Sequence, residues 1–336
     1  MLPTLLETHY GITAKEQLKM KTYDAVRGNG WIYIITNPNN REEADVIELS
    51  GISQHLRSYG DKQVPIIMQS KDRSYLTNWE QQKYCVLAIR EVDRQKRHTK
   101  LGRRLAKFHE RGRRVPFQIE RTSRIGQWKV LWEKRLEQME KVWNGLLFQT
   151  PEDEFERMFI ESFPYYMGLT ENAIQYLVDT ELDDEPQPTD SGTVCHERFT
   201  AKTWGGSDLI KNPFDWVFDH RSRDLAEWTR ERYFRNNQTY DVDVKQFFAE
   251  YQSIAPLSSF SWRLLFARLI FPLHYFDCVE SYYLSQSEQE KRSLEEWLSK
   301  IIKQSAENER FLAGFYQISG APLNRMNLPL LEWLYQ

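Results

Sequence analysis

The sequence has little cysteine and no pairing pattern among the few cysteines it contains. Only three occur in 336 residues, at Cys85, Cys195 and Cys278. They lie far apart, without a Cys-x-x-Cys pair or a histidine at metal-site spacing, so neither a disulfide framework nor a structural zinc site is indicated. We predict three buried thiols in a reducing compartment.

Long apolar runs are also lacking. The N-terminal stretch MLPTLLETHYGI has neither the basic start nor the apolar core of a signal peptide. The most apolar region is interrupted by Arg263, Arg268 and Asp277, and it falls short of the roughly 20 apolar residues that span a membrane. We therefore expect synthesis in the cytoplasm, no secretion by a signal peptide and no membrane partner.

No charge of one sign dominates the chain. It has 45 basic and 48 acidic residues, so its overall charge gives no argument for a nucleic-acid partner. Residues 90–114 are the exception, with eleven Lys or Arg against three acidic residues. Leu101, Leu105 and Phe108 recur there at helical spacing, which predicts a basic helix within 94–114. Its exposed cations fit a solvated face or an acidic protein partner better than nucleic acid, because only Phe108 could stack on a base.

The first 92 residues predict a small lobe with an antiparallel sheet. Residues 20–36 alternate around Asn29 and Gly30, which is typical of a hairpin. A helix is predicted over 41–59, and further strands are predicted over 64–68, 74–79 and 82–90. The phrase AKEQLKM before the hairpin consists of good helix formers and predicts a helix.

The remainder, residues 93–336, predicts a large helical lobe. Three tryptophans at helical spacing predict an amphipathic helix over 127–147 with buried indoles. Two helices are expected over 154–167 and 170–179, followed by an acidic, proline-containing loop over 181–192. Six more helices are predicted between residues 224 and 318. The expected fold class is α+β, with lobes at 1–92 and 93–336.

The stretch that begins at His196 resembles a known enzyme loop. HERFTAKT resembles the His-Gly-Asp-x-x-x-x-Asn loop of the aminoglycoside phosphotransferase and choline kinase family, and FDW around Asp215 resembles that family's magnesium motif. RDLAEW, with Asp224, resembles its later helix start, and LGRRLAKFHERG, with His109 as a packing residue, resembles the helix that opens its large lobe. The resemblance implies a two-lobed protein kinase-like fold, with ATP and magnesium as cofactors of active members.

Two polar positions of the loop depart from that pattern. Aligned from His196, Arg198 takes the place of the catalytic aspartate and Thr203 that of the metal-binding asparagine. The later metal aspartate is Asp215 or, as an alternative, Asp219. Because a guanidinium stays protonated, Arg198 cannot serve as a general base. We therefore predict a degenerate loop with no catalytic residue, a structural role for His196, and a vestigial nucleotide or magnesium site at the two aspartates.

The small lobe shows a matching departure. Active kinases use a strand lysine on the phosphates and a helix glutamate that positions it. The strand here ends at Thr36 without a lysine, so Glu48 on the following helix lacks that partner. We predict that Glu48 is part of the solvated surface.

Three longer phrases extend the resemblance over most of the chain. IGQWKVLWEKRLEQMEKVW, FPYYMGLTENAIQYLVDTELD and FDWVFDHRSRDLAEW resemble the YutH-type spore coat-associated proteins of endospore-forming bacteria, which are similar to CotS-type coat proteins. This implies a non-catalytic, kinase-like protein of the spore coat that assembles with other coat proteins and needs no cofactor. The alternative is an active or nucleotide-binding phosphotransferase of small molecules or proteins, which would use Asp215 or Asp219 for magnesium.

Overall fold

The computed structural model describes residues 2–13, 16–20, 23–38, 40–90, 100–204, 210–236 and 238–335. It divides into two compact units. The sheet unit comprises Met1–Arg124, Gly192–Arg232 and Glu250–Ala255, and the helical unit comprises Ile125–Ser191, Tyr233–Ala249 and Pro256–Gln336. The predicted lobe boundary after residue 92 lies outside the described residues, so the division at 92/93 stays a prediction.

The sheet unit is built on one antiparallel sheet. Its strands are β1 (Glu16–Met20), β2 (Tyr23–Gly28), β3 (Trp31–Thr36), β4 (Ile66–Ile67), β5 (Thr77–Trp79) and β6 (Gln82–Arg90). The strand order is β1-β2-β3-β6-β4, and β5 pairs with β6. The predicted hairpin between β2 and β3 is confirmed. Asn29 and Gly30 have φ angles of 53° and 77°, as a tight turn between twisted strands requires.

The helix predicted from AKEQLKM is wrong. Residues 14 and 15 lie outside the described part of the chain, and Glu16–Met20 form β1, which pairs with β2 from Glu16 opposite Arg27 to Met20 opposite Tyr23. Its side chains are mostly exposed, as an outer strand permits. Pairing with the neighbouring strand therefore outweighs the weak helical preference of these residues.

Two helical segments pack on the sheet. Helix α1 (Leu2–Leu5) continues as one wider turn over Leu6–Tyr10. Leu5 and Leu6 are buried in one cluster with Val26 and Val86 of the sheet. Helix α2 (Glu43–Ser58) confirms the helix predicted over 41–59 and buries Val46, Leu49, Ile52 and Leu56. These residues recur at three- and four-residue spacing, so the amphipathic pattern positions the helix against the sheet.

The helical unit contains most of the remaining helices. These are α4 (Trp128–Leu146), α5 (Glu154–Asp183), most of α7 (Tyr240–Gln252), α8 (Ser259–Ile270), α9 (Leu273–Leu284), α10 (Glu288–Lys303), α11 (Ser305–Ser319) and α12 (Leu323–Met326). On α4, Trp128 and Trp132 are both 5% exposed, which confirms two of the three predicted buried indoles, whereas Trp143 is half-buried. Among the described residues, no helix combines the length and the apolar character that crossing a membrane requires.

Helix α5 is continuous where two helices were predicted. Pro164 lies inside it, and a proline has no N–H to donate to the carbonyl four residues earlier. That carbonyl belongs to Ile160, and the indole N–H of Trp143 donates to it instead, at 3.0 Å. Because a neighbouring helix satisfies the orphaned acceptor, the helix continues through the proline.

Candidate functional site

The loop that begins at His196 lies between two short strands of the sheet unit. β7 (Thr193–His196) and β8 (Trp216–Asp219) are antiparallel, and His196 pairs with Trp216. The helix α6 (Ser222–Arg235) begins shortly after β8. Within the loop, residues 205–209 are not among those described. The strand pair fixes both ends of the loop. The candidate residues His196, Arg198, Thr203, Asp215 and Asp219 lie on these two strands or in the loop between them.

Asp224, in the first turn of α6, is the centre of a buried hydrogen-bond network. Its Oδ1 accepts the backbone N–H of His196 at 2.8 Å, and its Oδ2 lies 2.7 Å from Nδ1 of the same histidine. Oδ2 also lies 3.1 Å from Nε2 of His109. Burial opposes ionisation of the carboxyl, but the two histidines outweigh it and hold the pKa of Asp224 well below its usual range.

His109 extends this network to a fourth residue. Its Nδ1 lies 2.8 Å from the hydroxyl of Tyr251, and both side chains are fully buried. Burial raises the pKa of the Tyr251 phenol, so the hydroxyl stays protonated and donates to Nδ1. Burial also lowers the pKa of His109, so the ring is neutral and its Nε2–H donates to Asp224. The predicted packing role of His109 is therefore accompanied by a polar role.

The helix that carries His109 approaches β7 closely. It is α3 (Leu101–Gly112), which confirms the predicted basic helix over the described residues, while 94–99 lie outside them. A Cβ on Gly112 would lie 2.7 Å from the backbone nitrogen of Val194, so only glycine fits there. The hydroxyl of Thr193 donates to the carbonyl of His109 at 2.6 Å. Gly112 and Thr193 thus hold α3 against β7, the strand that leads into the loop.

Aromatic rings surround His196 and a buried lysine. The His196 ring centroid lies 5.3 Å from that of Phe108 and 5.4 Å from that of Trp204. The ammonium of Lys211 lies 4.2 Å from the Trp204 centroid and donates to Asp61 Oδ2 at 2.6 Å. Burial lowers the pKa of Lys211 to about 8, although the neighbouring Asp61 carboxylate favours the charged ammonium and limits the decrease. This pair was not predicted, because the two residues are far apart in the chain and no local pattern marks them.

Arg198 and Thr203, the two altered positions, are tied to nearby groups of the sheet unit. The Arg198 guanidinium is 42% exposed and lies 3.7 Å from the buried carboxylate of Glu227 on α6, which also lies 3.3 Å from Arg230. The Thr203 hydroxyl accepts the N–H of Thr200 at 2.9 Å and donates to the carbonyl of Arg198 at 3.1 Å. Both side chains thus shape their own loop and its supporting helix.

The two candidate metal aspartates lie in different surroundings. Asp219 is 1% exposed, and its Oδ2 accepts a hydrogen bond from Arg223 at 2.7 Å. Asp215 precedes β8, and its side chain is exposed. The protein groups packed around the carboxyl keep water from it and raise the pKa of Asp215, and the charges of His196 and Arg41 partly offset this rise. Asp215 therefore has the more accessible carboxylate, but its assignment to the metal position stays a prediction.

Glu48 is not the solvated residue that was predicted. It is half-buried, and its Oε2 accepts the backbone N–H groups of Glu120 at 2.8 Å and Arg121 at 3.1 Å. Its Oε1 accepts from Thr122, through the N–H at 2.8 Å and the hydroxyl at 2.6 Å. Burial opposes ionisation, but these four bonds outweigh it and lower the pKa of Glu48. The helix glutamate holds a backbone segment where active kinases pair it with lysine.

The segment bound by Glu48 continues to β8. Thr122 accepts the N–H of Phe218 at 2.9 Å, and Arg124 donates its N–H to the Phe218 carbonyl at 2.7 Å. A continuous path of hydrogen bonds therefore runs from α2 through residues 120–124 to the strand that follows Asp215.

Of the two candidate metal aspartates, only Asp215 presents an exposed carboxylate to a magnesium–nucleotide complex. Mg²⁺ requires several oxygen ligands in octahedral geometry, whereas Asp219 is paired with Arg223 and the guanidinium of Arg198 adds positive charge to the same loop. Among the described residues, His109, Cys195 and Asp224 are grouped closely enough for a metal. All three are buried and hydrogen-bonded to the protein, so this cluster is explained without a metal.

Almost the entire chain matches one known protein family. A family model described as "Spore coat putative kinase YutH" matches residues 3–315. The chain belongs to the YutH family of spore coat proteins. The endospore coat-associated protein YutH of Bacillus subtilis (strain 168) is 40% identical over 335 residues, which cover 99% of this chain and 98% of that relative. Spore coat protein S of the same organism is 24% identical over 200 residues, covering 57% of this chain and 56% of that protein.

Solved structures of small-molecule kinases have a similar fold. The aminoglycoside phosphotransferase of Alicyclobacillus acidocaldarius has a TM-score of 0.67 at 15% identity, covering 91% of this chain and 93% of that one. A microcompartment-associated aminopropanol kinase has a TM-score of 0.60 at 15% identity, covering 95% and 98%. Such low identities show the fold alone. They confirm the predicted α+β, aminoglycoside phosphotransferase-like fold, with an N-terminal antiparallel sheet and a large helical part.

Proposed function

We propose that this chain is a non-catalytic, kinase-like protein of the spore coat, which acts through contacts with other coat proteins. The observation that carries the proposal is Arg198, which lies where the family resemblance places the proton-accepting aspartate. A guanidinium cannot accept a proton at neutral pH, and loss of a general base typically reduces a rate by about 10²- to 10⁴-fold. Membership of the YutH family supports the coat assignment.

The arrangement of the other groups supports the absence of turnover. Glu48 is bound to residues 120–122, Thr203 is bound within its own loop, and Asp219 is bound to Arg223. The strand position that would hold the phosphate-binding lysine is Thr36. Side chains that would act on a nucleotide in an active member are thus used to stabilise this fold, and neither ATP nor magnesium is required.

The second candidate is a phosphotransferase or nucleotide-binding regulator that uses Asp215 or Asp219 for magnesium. The exposed carboxylate of Asp215 is the observation in its favour. In that case Asp215 would hold the metal and the nucleotide phosphates would follow it, but the chain offers no general base at the aspartate position.

Thermal unfolding with ATP and magnesium distinguishes the two candidates. A ligand at about 100 times its dissociation constant stabilises the folded state by about 2.7 kcal/mol, which is readily measured. We expect no shift in the melting temperature at millimolar nucleotide, with or without magnesium, and the same result for Asp215→Ala. A magnesium-dependent shift that disappears in Asp215→Ala would instead establish the nucleotide site, and phosphate transfer lost in that variant would establish the enzyme.

The coat assignment has its own test. A fluorescent fusion of the chain, produced in a sporulating endospore-forming bacterium, should accumulate at the surface of the developing spore and remain with the purified coat fraction. Uniform fluorescence in the surrounding cytoplasm throughout sporulation would contradict a coat role, whatever the nucleotide experiment shows.

A further inference from the structure

The exposed face of α3 carries positive charge that no carboxylate of the described residues neutralises. Lys100, Arg103 and Lys107 are exposed and lie on one side of the helix, opposite the buried Leu105 and Phe108. Arg103 donates to the hydroxyl of Ser253 at 3.1 Å and has no carboxylate partner among the residues that the structure describes. Within the described part of the chain, Lys100 and Lys107 have no ion pair. We call Lys100, Arg103 and Lys107 the basic face.

The C-terminal end of α5 carries the opposite charge. Glu181, Asp183 and Glu185 are exposed there and Asp184 is half-exposed, and we call residues 181–185 the acidic segment. Asp183 lies 3.5 Å from Arg263, whereas Glu181 and Glu185 have no cationic partner among the described residues. Leu182, in the middle of the segment, is 77% exposed. A loop was predicted over 181–192, but residues 181–183 form the end of α5.

Each helix end carries charge of the sign that its own dipole disfavours. The N-terminal end of a helix is positive and its C-terminal end negative, so basic residues at the first and acidic residues at the second are unfavourable. The first turn of α3 has no acidic residue and is flanked by Lys100 and Arg103, while the last turn of α5 has no basic residue. Neither arrangement stabilises its helix, and a contact with the opposite charge would relieve both.

We propose that the acidic segment of one copy of this chain docks on the basic face of a second copy. The two surfaces have complementary side-chain charges and complementary helix ends, and an acidic end of this kind is what the basic face would attract. Because the contact joins two different surfaces, one copy keeps its basic face free and the other keeps its acidic segment free, so that further copies can add to either. This self-association is independent of whether the chain binds nucleotide.

Charge reversal tests the contact directly. The apparent mass of the chain, measured by sedimentation velocity, should rise with protein concentration at low salt. It should return to that of a single copy near 1 M salt, where the Debye length falls to about 3 Å. The variants Arg103→Glu/Lys107→Glu and Glu181→Lys/Glu185→Lys should each associate at least tenfold more weakly alone, because each now opposes like charges.

Mixing the two variants gives the decisive measurement. In a mixture, the intact basic face of one variant meets the intact acidic segment of the other, and the two reversed surfaces also match. We therefore expect association to return to the level of the unaltered chain. The pair Lys134→Glu/Lys141→Glu, on exposed positions of α4, is the matched control and should associate normally.

Three results would overturn the proposal. The first is a mass that stays that of one copy at every concentration and salt. The second is association that the reversed variants leave unchanged, and the third is reversed variants that fail to associate when mixed although circular dichroism shows both to be folded. If the basic face bound an unrelated polyanion such as DNA while the chain remained a single copy, the face would serve another partner and self-association would be rejected.

Discussion

The inner and outer sides of the loop after β7 use their polar groups in different ways. On the inner side, His196, Asp224 and His109 are at most 1% exposed and share hydrogen bonds of 2.7 to 3.1 Å. On the outer side, Arg198 is 42% exposed and its ion pair with Glu227 measures 3.7 Å. The inner side determines the course of the backbone, whereas the outer side is open to solvent.

The proposed function requires a kinase-like fold without kinase chemistry, and this difference supports it. The buried network orders the loop through groups that never meet a ligand, so the loop keeps its course whatever residue occupies position 198. A substitution at an exposed position costs little stability, although it can remove a proton acceptor completely. The fold and the reaction therefore depend on separate residues of the same short stretch.

Removing the inner carboxylate should have the largest effect. Asp224→Ala leaves two histidines and a backbone N–H without their buried acceptor, so we expect the free energy of unfolding to fall by about 3–5 kcal/mol. Urea denaturation measures this change. Asp215→Ala, the same substitution on the outer side, is the matched control and should change it by less than about 1 kcal/mol. Equal losses in the two variants would remove the distinction between the sides.

The pH dependence of that loss has a defined direction. Because the pKa of Asp224 is lower in the folded state, its contribution is fully present above its unfolded pKa of about 3.9 and declines as the pH falls below that value. The difference in unfolding free energy between the unaltered chain and Asp224→Ala should therefore be constant between pH 6 and pH 8. It should shrink in strongly acidic solution.

Glu48 should give an intermediate effect. Hydrogen bonds to a charged group contribute about 1.5–3 kcal/mol when buried, and solvent weakens them at a half-buried site. Glu48→Gln should therefore reduce the unfolding free energy by about 1–2 kcal/mol, because an amide places donors against the N–H groups of residues 120–122. Glu120→Gln, on an exposed neighbour, should be close to neutral. Amide hydrogen exchange at Arg121 and Thr122 should accelerate only in Glu48→Gln, and unchanged exchange would contradict the role assigned to Glu48.

Arg198→Asp should have the smallest effect. It removes an exposed ion pair, which contributes up to about 1 kcal/mol, and places a carboxylate near Glu227. We expect a stability change of no more than about 1 kcal/mol and no gain of phosphate transfer from ATP, because Thr36 and Thr203 still lack the phosphate- and metal-binding groups. Transfer by this single variant would show that the rest of the site is intact.

The sequence predicted the parts of this structure that depend on local pattern. The Asn29–Gly30 turn, helix α2 and the buried indoles of α4 each follow from turn chemistry or helical spacing. The resemblance supplied the fold class, which local pattern alone does not determine. It also drew attention to the stretch in which His196 and Asp224 are found together.

Long-range contacts account for what the sequence did not predict. β1 has helix-forming residues and becomes a strand through pairing with β2, and α5 passes Pro164 because Trp143 supplies the missing donor. Glu48 finds its four donors in a distant segment of the chain, and no spacing rule connects them. In each case the deciding partner is remote in sequence, so propensity and periodicity contain no signal for it.

The cysteines have a practical consequence. All three are buried, burial raises the pKa of Cys85 and Cys278 to about 12, and Cys195 donates to the carbonyl of His220 at 3.5 Å. Since the thiolate is the reactive form of cysteine, we expect the natural thiols of the folded chain not to react with alkylating labels. A single surface cysteine, such as Arg103→Cys or Glu185→Cys, would thus carry a dye or a cross-link without removal of any natural thiol.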